Sequence, residues 1–346
     1  MTGDLHSLLG IDTPIVLGPF GGLSSVALTA SVSDCGGLGS FGLYGYSGDR
    51  IRDTATALRA ATGRPFALNL WLPLGDEVAP DEVDLTAAQA AVAPLFEAAG
   101  AAVPPLPAAF LPPLSEQLDA VWDAAPAVLS VVFGVPAPEV VAEAHRRGIR
   151  VIGTATSVAE AVALEEGGVD AVVASGAEAA GHRVSFLRPA EESLVGTFAL
   201  VPQVVDAVDI PVIAAGGVAD CRGVAAAFAL GAAGVQVGSA FLRTRQSAAA
   251  EAHRAALAAA ADTDTVLTRA MSGRLARGIP NRAVRTIEDG GAIAPFPAQN
   301  WLTGGFRSAA PHNGDLVSLW AGQAAGLSRS DDAAAVFAEL VRGLPR

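Results

Sequence analysis

Three observations predict a (β/α)8 barrel for most of this 346-residue chain. Eight short apolar runs alternate with helix-like segments. Most of the runs are continuously apolar, as expected of a parallel sheet covered on both faces. No G-x-G-x-x-G follows the first run, which weakens the alternative, an open doubly wound sheet.

The apolar runs fall at 15–19, 38–41, 65–71, 128–133, 150–154, 170–174, 211–215 and 234–238. Between them, 24–34 and 49–61 begin on capping-type residues, Ser24 and Asp49. A helix over 138–147 has proline in its first turn and Gly148 as its stop. Ser157 and Glu160 have the spacing of a capping box, and that helix runs out at Gly167 and Gly168. The segment 220–230 ends at Gly231. The barrel is therefore assigned to 1–261. Two stretches exceed a minimal barrel: an Ala/Pro-rich insertion at 74–127, and a C-terminal extension at 262–346 with loop-like pieces at 289–291 and 296–300. Both are expected to pack over the C-terminal mouth of the barrel, since long excursions within a compact domain usually serve function.

Composition narrows the function. Half of the residues (51%) are hydrophobic, enough for a large core, and only 16% are charged. A net charge of -13 argues against nucleic acid or an anionic membrane as partner. Oligomerisation is left open. The chain has no lysine, which excludes a lysine Schiff base and leaves arginine as the only fixed side-chain cation. Cys35 and Cys221 lack metal-type spacing and read as small, buried or half-buried thiols. No secretory signal and no bilayer-length apolar run is visible, so the sequence reads as a cytoplasmic, soluble protein.

Chemistry in a parallel barrel sits where strands end. The sixth run leads into Ser175, Glu178, Ala180, Gly181 and His182, a small-residue loop carrying one imidazole that titrates near neutral pH. Glu178 either orients that imidazole or satisfies loop N–H groups. Gly216 and Gly217 follow the seventh run, and Gly238 and Ser239 the eighth, the two loops where barrels commonly bind phosphate through backbone N–H groups. Gly18 and Pro19 begin another small-residue loop, against which a planar ring could lie. Asn69 and Gln236 are amides inside apolar strands, and each needs a partner, either a heterocycle edge or a neighbouring loop. No His/Cys/Asp cluster has metal-ligand spacing, and there is no G-x-S-x-G elbow.

Several segments together, 14–19, 36–39, Asn69, 175–183, 211–218, 234–239, 272–278, 299–302 and 319–323, give the chain its resemblance to the nitronate monooxygenases, formerly 2-nitropropane dioxygenases, which are FMN-bearing barrels. The resemblance implies FMN held by Asn69, the 175–181 loop, Gly217 and Gln236, Val237, Gly238 and Ser239, with Trp320, Gly322 and Gln323 from the 319–323 segment. It also makes His182 the counterpart of the catalytic histidine. Two positions depart from the family pattern: Ser175 stands where glutamine is usual and Ala180 where glycine is. The implied reaction is oxidation of an alkyl nitronate by O2 to a carbonyl compound and nitrite, with His182 as base or as donor to the anionic nitro group. Related barrels leave two other readings open: an FMN-dependent NAD(P)H reductase of a quinone or enoyl thioester, and a flavin-binding protein without catalysis.

Overall fold

The structure is a computed structural model that describes residues 5–345. Eight parallel strands form the barrel: β1 (Ile15–Leu17), β2 (Gly39–Gly42), β3 (Phe66–Trp71), β4 (Val128–Val132), β5 (Arg150–Ala155), β6 (Ala171–Ser175), β8 (Val212–Ala215) and β9 (Gly234–Val237). The order is β1-β9-β8-β6-β5-β4-β3-β2, and a parallel bridge from Val16 to Leu38, just before β2, brings the two ends together. All eight apolar runs are thus strands. The label β7 belongs to Gly181–His182, so part of the predicted histidine loop is itself a strand. With β10 (Val266–Thr268) and β11 (Ala276–Gly278) it makes a small antiparallel sheet in which His182 lies opposite Ala276.

Side chains alternate between the barrel's inside and its helical shell, as the two-residue period of a strand requires. Val16, Ala67, Val128, Ile152, Val173 and Ile213 point inward and form one core, which Leu5, Leu9 and Ile11 close. Ile15, Leu17, Leu68, Leu129, Val172 and Val237 belong to the larger core between strands and helices.

The shell helices start as their caps dictate. Ser25 Oγ accepts from Leu28 N ahead of Val26–Asp34, Ser47 from Arg50 N ahead of Gly48–Ala61, and Asp220 from Arg222 N and Gly223 N ahead of Cys221–Ala229. Ser157 caps Val158–Glu166, but the expected reciprocal half of its capping box is absent. Glu160 is fully buried and its carboxylate instead accepts from Thr156 N and Oγ1 and from Phe186 N and Leu187 N. A buried carboxylate needs several donors, and the loop after β7 supplies two of them.

Residues 74–127 and 262–346 divide between two layers. Helix Thr86–Ala99 packs on Arg282–Gly290 and Ala298–Ala309 around Val92, Leu95, Phe96, Ile287, Leu302 and Phe306, a second core beside the barrel's own. Helix Leu114–Ala124 instead joins the shell against Gly48–Ala61, burying Ala120, Val121 and Ala124. Helix Ala333–Val341 packs on Val26–Asp34 and Cys221–Ala229, filling the shell position after β9. Only a four-residue helix, Ser239–Leu242, directly follows that strand.

Candidate active site

A cavity of about 390 Å³ opens at the strands' C-terminal ends, walled on its far side by residues of the second layer. Its floor follows from the inward period. Within β3, β5, β6 and β9 the inward series runs from an apolar residue to a polar one: Ala67 to Asn69, Ile152 to Thr154, Val173 to Ser175, Gly234 to Gln236. Asn69 is tied by Nδ2 to Ser130 Oγ at 3.0 Å and Ser130 O at 3.2 Å, so it braces β4 while facing the cavity. Gln236, Ser175 and Thr154 also line it. Val237 does not: its parity turns it into the fully buried outer core, and only its carbonyl takes part, accepting from Gly18 N at 2.9 Å.

One end of the cavity is backbone. Gly216, Gly217, Gly238 and Ser239 line it, with Gly18 and Pro19 beside them. The N–H groups of Gly217, Val218, Ser239 and Ala240 have no protein acceptor among the described residues. Gly216 and Gly217 lie at φ +98° and +75°, a region glycine alone enters freely. A Cβ on Gly216 would sit 2.9 Å from Thr197 Oγ1, whereas one on Gly217 meets nothing nearer than 3.9 Å, so Gly217 borders open space. Ser239 Oγ accepts from Gly322 N at 2.9 Å and joins the C-terminal segment to this end. Four unclaimed N–H donors around a glycine cradle fit a phosphate, in a chain without lysine.

Glu178 takes the second of its two expected roles. Its carboxylate accepts from Thr197 N at 2.9 and 3.0 Å and from Thr197 Oγ1 at 2.8 Å, at the start of helix Thr197–Val205. It has no hydrogen bond to His182. Two buried arginines hold the 175–183 segment: Arg183 donates to the carbonyls of Ser175, Gly176 and Ser193, and Arg277 to that of Ala177. The guanidinium fork suits this, since one side chain reaches several carbonyls.

Elsewhere on the lining stands His182, with Gly181 and Trp320 beside it, while Ala180 lies near Gly322 and Ser239. Its ring lies 4.9 Å from Trp71 and 5.4 Å from Trp320. Half-buried by its own exposure, the ring is flanked by indoles from β3 and the C-terminal segment. This burial, reinforced by the charges of Arg274 and Arg307, pushes its pKa down to about 3. The imidazole is therefore neutral at working pH. Nε2 lies 2.8 Å from Ser272 Oγ. Ser272 donates to the Arg274 carbonyl at 3.1 Å, the one bond that carbonyl receives among the described residues, and accepts from Arg274 N at 3.3 Å. Assigning the hydroxyl proton to that carbonyl makes Nε2 the donor to Oγ and leaves Nδ1 its lone pair.

Some contributors were not read from the sequence. Tyr44, Trp71, Phe296, Asn300 and Arg307 all line the His182 end. Asn300 and Arg307 lie on helix Ala298–Ala309, part of which the prolines at 295 and 297 disguised as loop. The inward two-residue period could have singled out Thr154 and Ser130. Gln323, by contrast, is exposed and outside the cavity lining, although Gly322 before it is in contact. Among the described residues, no cluster of His, Cys, Asp and Glu is arranged to hold a metal, and no helix is long and apolar enough to cross a membrane.

Comparison with known proteins agrees along the whole chain. A family model described as nitronate monooxygenase matches residues 3–344. A probable nitronate monooxygenase of Staphylococcus aureus (strain Newman) is 38% identical over 341 residues, 97% of this chain and 96% of the relative. Nitroalkane oxidase from Streptomyces ansochromogenes superposes with a TM-score of 0.87 at 34% identity, covering 99% of both chains. FabK from Thermotoga maritima follows at a TM-score of 0.76 and 28% identity, over 99% of this chain and 96% of that one. The fold, the cavity and these matches together establish that the chain belongs to the nitronate monooxygenase family of flavin-dependent oxidoreductases.

Proposed function

We propose that the cavity holds FMN and that the enzyme oxidises alkyl nitronates, or the nitroalkanes that yield them, with O2 to a carbonyl compound and nitrite. The observation that carries this reading is the cavity's polarity: a cradle of four free N–H groups at one end and a neutral imidazole among aromatic rings elsewhere on its lining. One phosphate cradle suits a mononucleotide. Gly217, Val218, Ser239 and Ala240 would hold the phosphate, and Asn69, Ser175 and Gln236 would face the flavin's polar edge. The departures from the family pattern at Ser175 and Ala180 both lie in the cavity wall.

The flavin, when bound, supplies electron acceptance from the substrate and passage of those electrons to dioxygen. The chain's own residues do the rest. Trp71, Phe296 and Trp320 exclude water around the reacting carbon. Neutral His182, held by Ser272 through Nε2, presents the Nδ1 lone pair as a base for the α-proton of a neutral nitroalkane. A preformed nitronate needs no such step.

Spectra and product analysis test the reading together. Purified protein should release FMN on denaturation, and nitrite should form from nitroethane or its nitronate. Release of FAD would overturn the mononucleotide assignment, and anaerobic bleaching by NADPH without nitrite formation from either substrate would replace the reaction with a reductase's.

A further inference from the structure

The part of the cavity around His182 contains a cation for which the reaction above has no use. Arg307 projects from helix Ala298–Ala309 to the cavity wall and has no carboxylate partner among the described residues. It donates to Asn300 Oδ1 at 2.8 Å, to the Asn300 carbonyl at 2.9 Å and to Ser318 Oγ at 3.4 Å, while its Nε is shut off without an acceptor. The other arginine that crowds His182, Arg274, is different. It is neutralised by Asp76 and Glu77 and stacks on Phe296 at 3.9 Å. Arg307 therefore places beside the pocket a guanidinium with no carboxylate of its own.

That charge has a route to the cavity. Because Asn300 Oδ1 accepts from Arg307, the amide orientation is fixed and Nδ2 faces the other way. It donates to Tyr44 Oη at 3.0 Å. Tyr44 packs on Trp71 at 4.3 Å, the same indole that contacts His182, and lines the same cavity. Its own O–H has no acceptor among the described residues. Each donor in the series is polarised by the one behind it, so the last hydroxyl is a strengthened donor with nothing in the protein to receive its proton.

We propose that Tyr44 anchors the negatively charged nitro group of the substrate, through a donor chain that starts at Arg307 and passes through Asn300. The assignment rests on the nitronate reading above and completes its charge balance. His182 is neutral and cannot offset a nitronate's charge; the chain from Arg307 can. Tyr44 keeps its proton throughout, since burial, partly opposed by the Asn300 hydrogen bond, pushes its pKa up to about 12.

The test is calorimetric titration of the flavin-loaded protein with sodium nitrite, alongside kcat/KM for ethyl nitronate. Tyr44→Phe removes only the hydroxyl and keeps the ring on Trp71. Asn300→Asp is nearly isosteric and keeps partners for both neighbours, but it neutralises Arg307 and draws the Tyr44 proton away from the cavity. Both variants should weaken nitrite binding by at least about tenfold, the range of a lost charge-assisted hydrogen bond, and lower kcat/KM on the nitronate to match. The flavin absorption spectrum should be unchanged. A merely structural role predicts instead that Asn300→Asp retains nitrite binding. Parent-like nitrite affinity in Tyr44→Phe, or no nitrite binding by the unsubstituted protein, overturns the proposal. If nitrite binding depends on Tyr44 while the unsubstituted enzyme leaves nitronates unchanged, the anion anchor stands and the nitronate reading falls.

Discussion

Protonating His182 is the perturbation whose size the structure sets most directly. An ordinary histidine titrates at 6.5; here enclosure by the two indoles, with Arg274 and Arg307 nearby, moves that to about 3. The sign follows from linkage. Between about 6.5 and 3 the unfolded chain binds a proton at this position and the folded chain does not, so stability is lost as pH falls through that window. From pH 7 to pH 5 the loss traceable to this residue is about 2 kcal/mol, an upper figure because one side of the ring opens on a cavity that admits water. Urea unfolding of the parent and of His182→Ala at both pH values, at equal flavin loading, isolates it. The parent should lose up to about 2 kcal/mol more than the variant, with His253, also held below its ordinary range by burial, contributing equally to both. The same neutrality should appear in catalysis: kcat/KM on nitroethane should show no inflection near 6.5 on the acid side. An inflection there, together with equal pH dependence of stability in the two proteins, would refute the neutral-imidazole argument.

His182→Ala should keep its flavin yet lose at least about 10²-fold in kcat/KM on nitroethane, the usual range for a lost general base; flavin content and rate are read from one preparation. Gly217→Val should fold but lose flavin, because φ +75° is strained for a branched side chain while no protein atom lies closer than 3.9 Å to the new Cβ; circular dichroism and absorbance separate the two effects. Ser272→Ala should leave flavin binding intact and lower kcat/KM about tenfold by freeing the imidazole tautomer. Nitrogen-15 NMR of labelled histidine should then show mixed tautomers at His182, where the parent shows Nε2–H alone.

The barrel was legible because parallel strands buried on both faces leave continuous apolar runs, and each of the eight became a strand. The position of the cavity was legible from where polar and small residues interrupt or follow those runs, as at Asn69, Ser175 and Gly217. What the sequence hid was set by long-range packing. Leu114–Ala124 and Ala333–Val341 are ordinary amphipathic helices, and nothing local says whether they join the barrel shell or the second layer. Glu160 has capping-box spacing, but a loop some 26 residues away claimed its carboxylate. Arg307 and Asn300 meet Tyr44 across about 256 residues of chain, a pairing with no local periodicity to announce it.

The helix that seals the shell after β9 packs on one formed about three hundred residues earlier. The barrel's last seam is therefore stitched by chain that leaves the ribosome late. Until Ala333–Val341 emerges, the flanks of Val26–Asp34 and Cys221–Ala229 stay bare, and contacts this distant in sequence form slowly. The cavity proposed for flavin cannot be closed earlier either, because Phe296, Asn300, Arg307 and Trp320 wall it from the same later stretch. On the proposed reading, flavin loading thus waits for this stretch, and a nascent chain stalled before it should expose apolar shell surface to chaperones while holding no flavin.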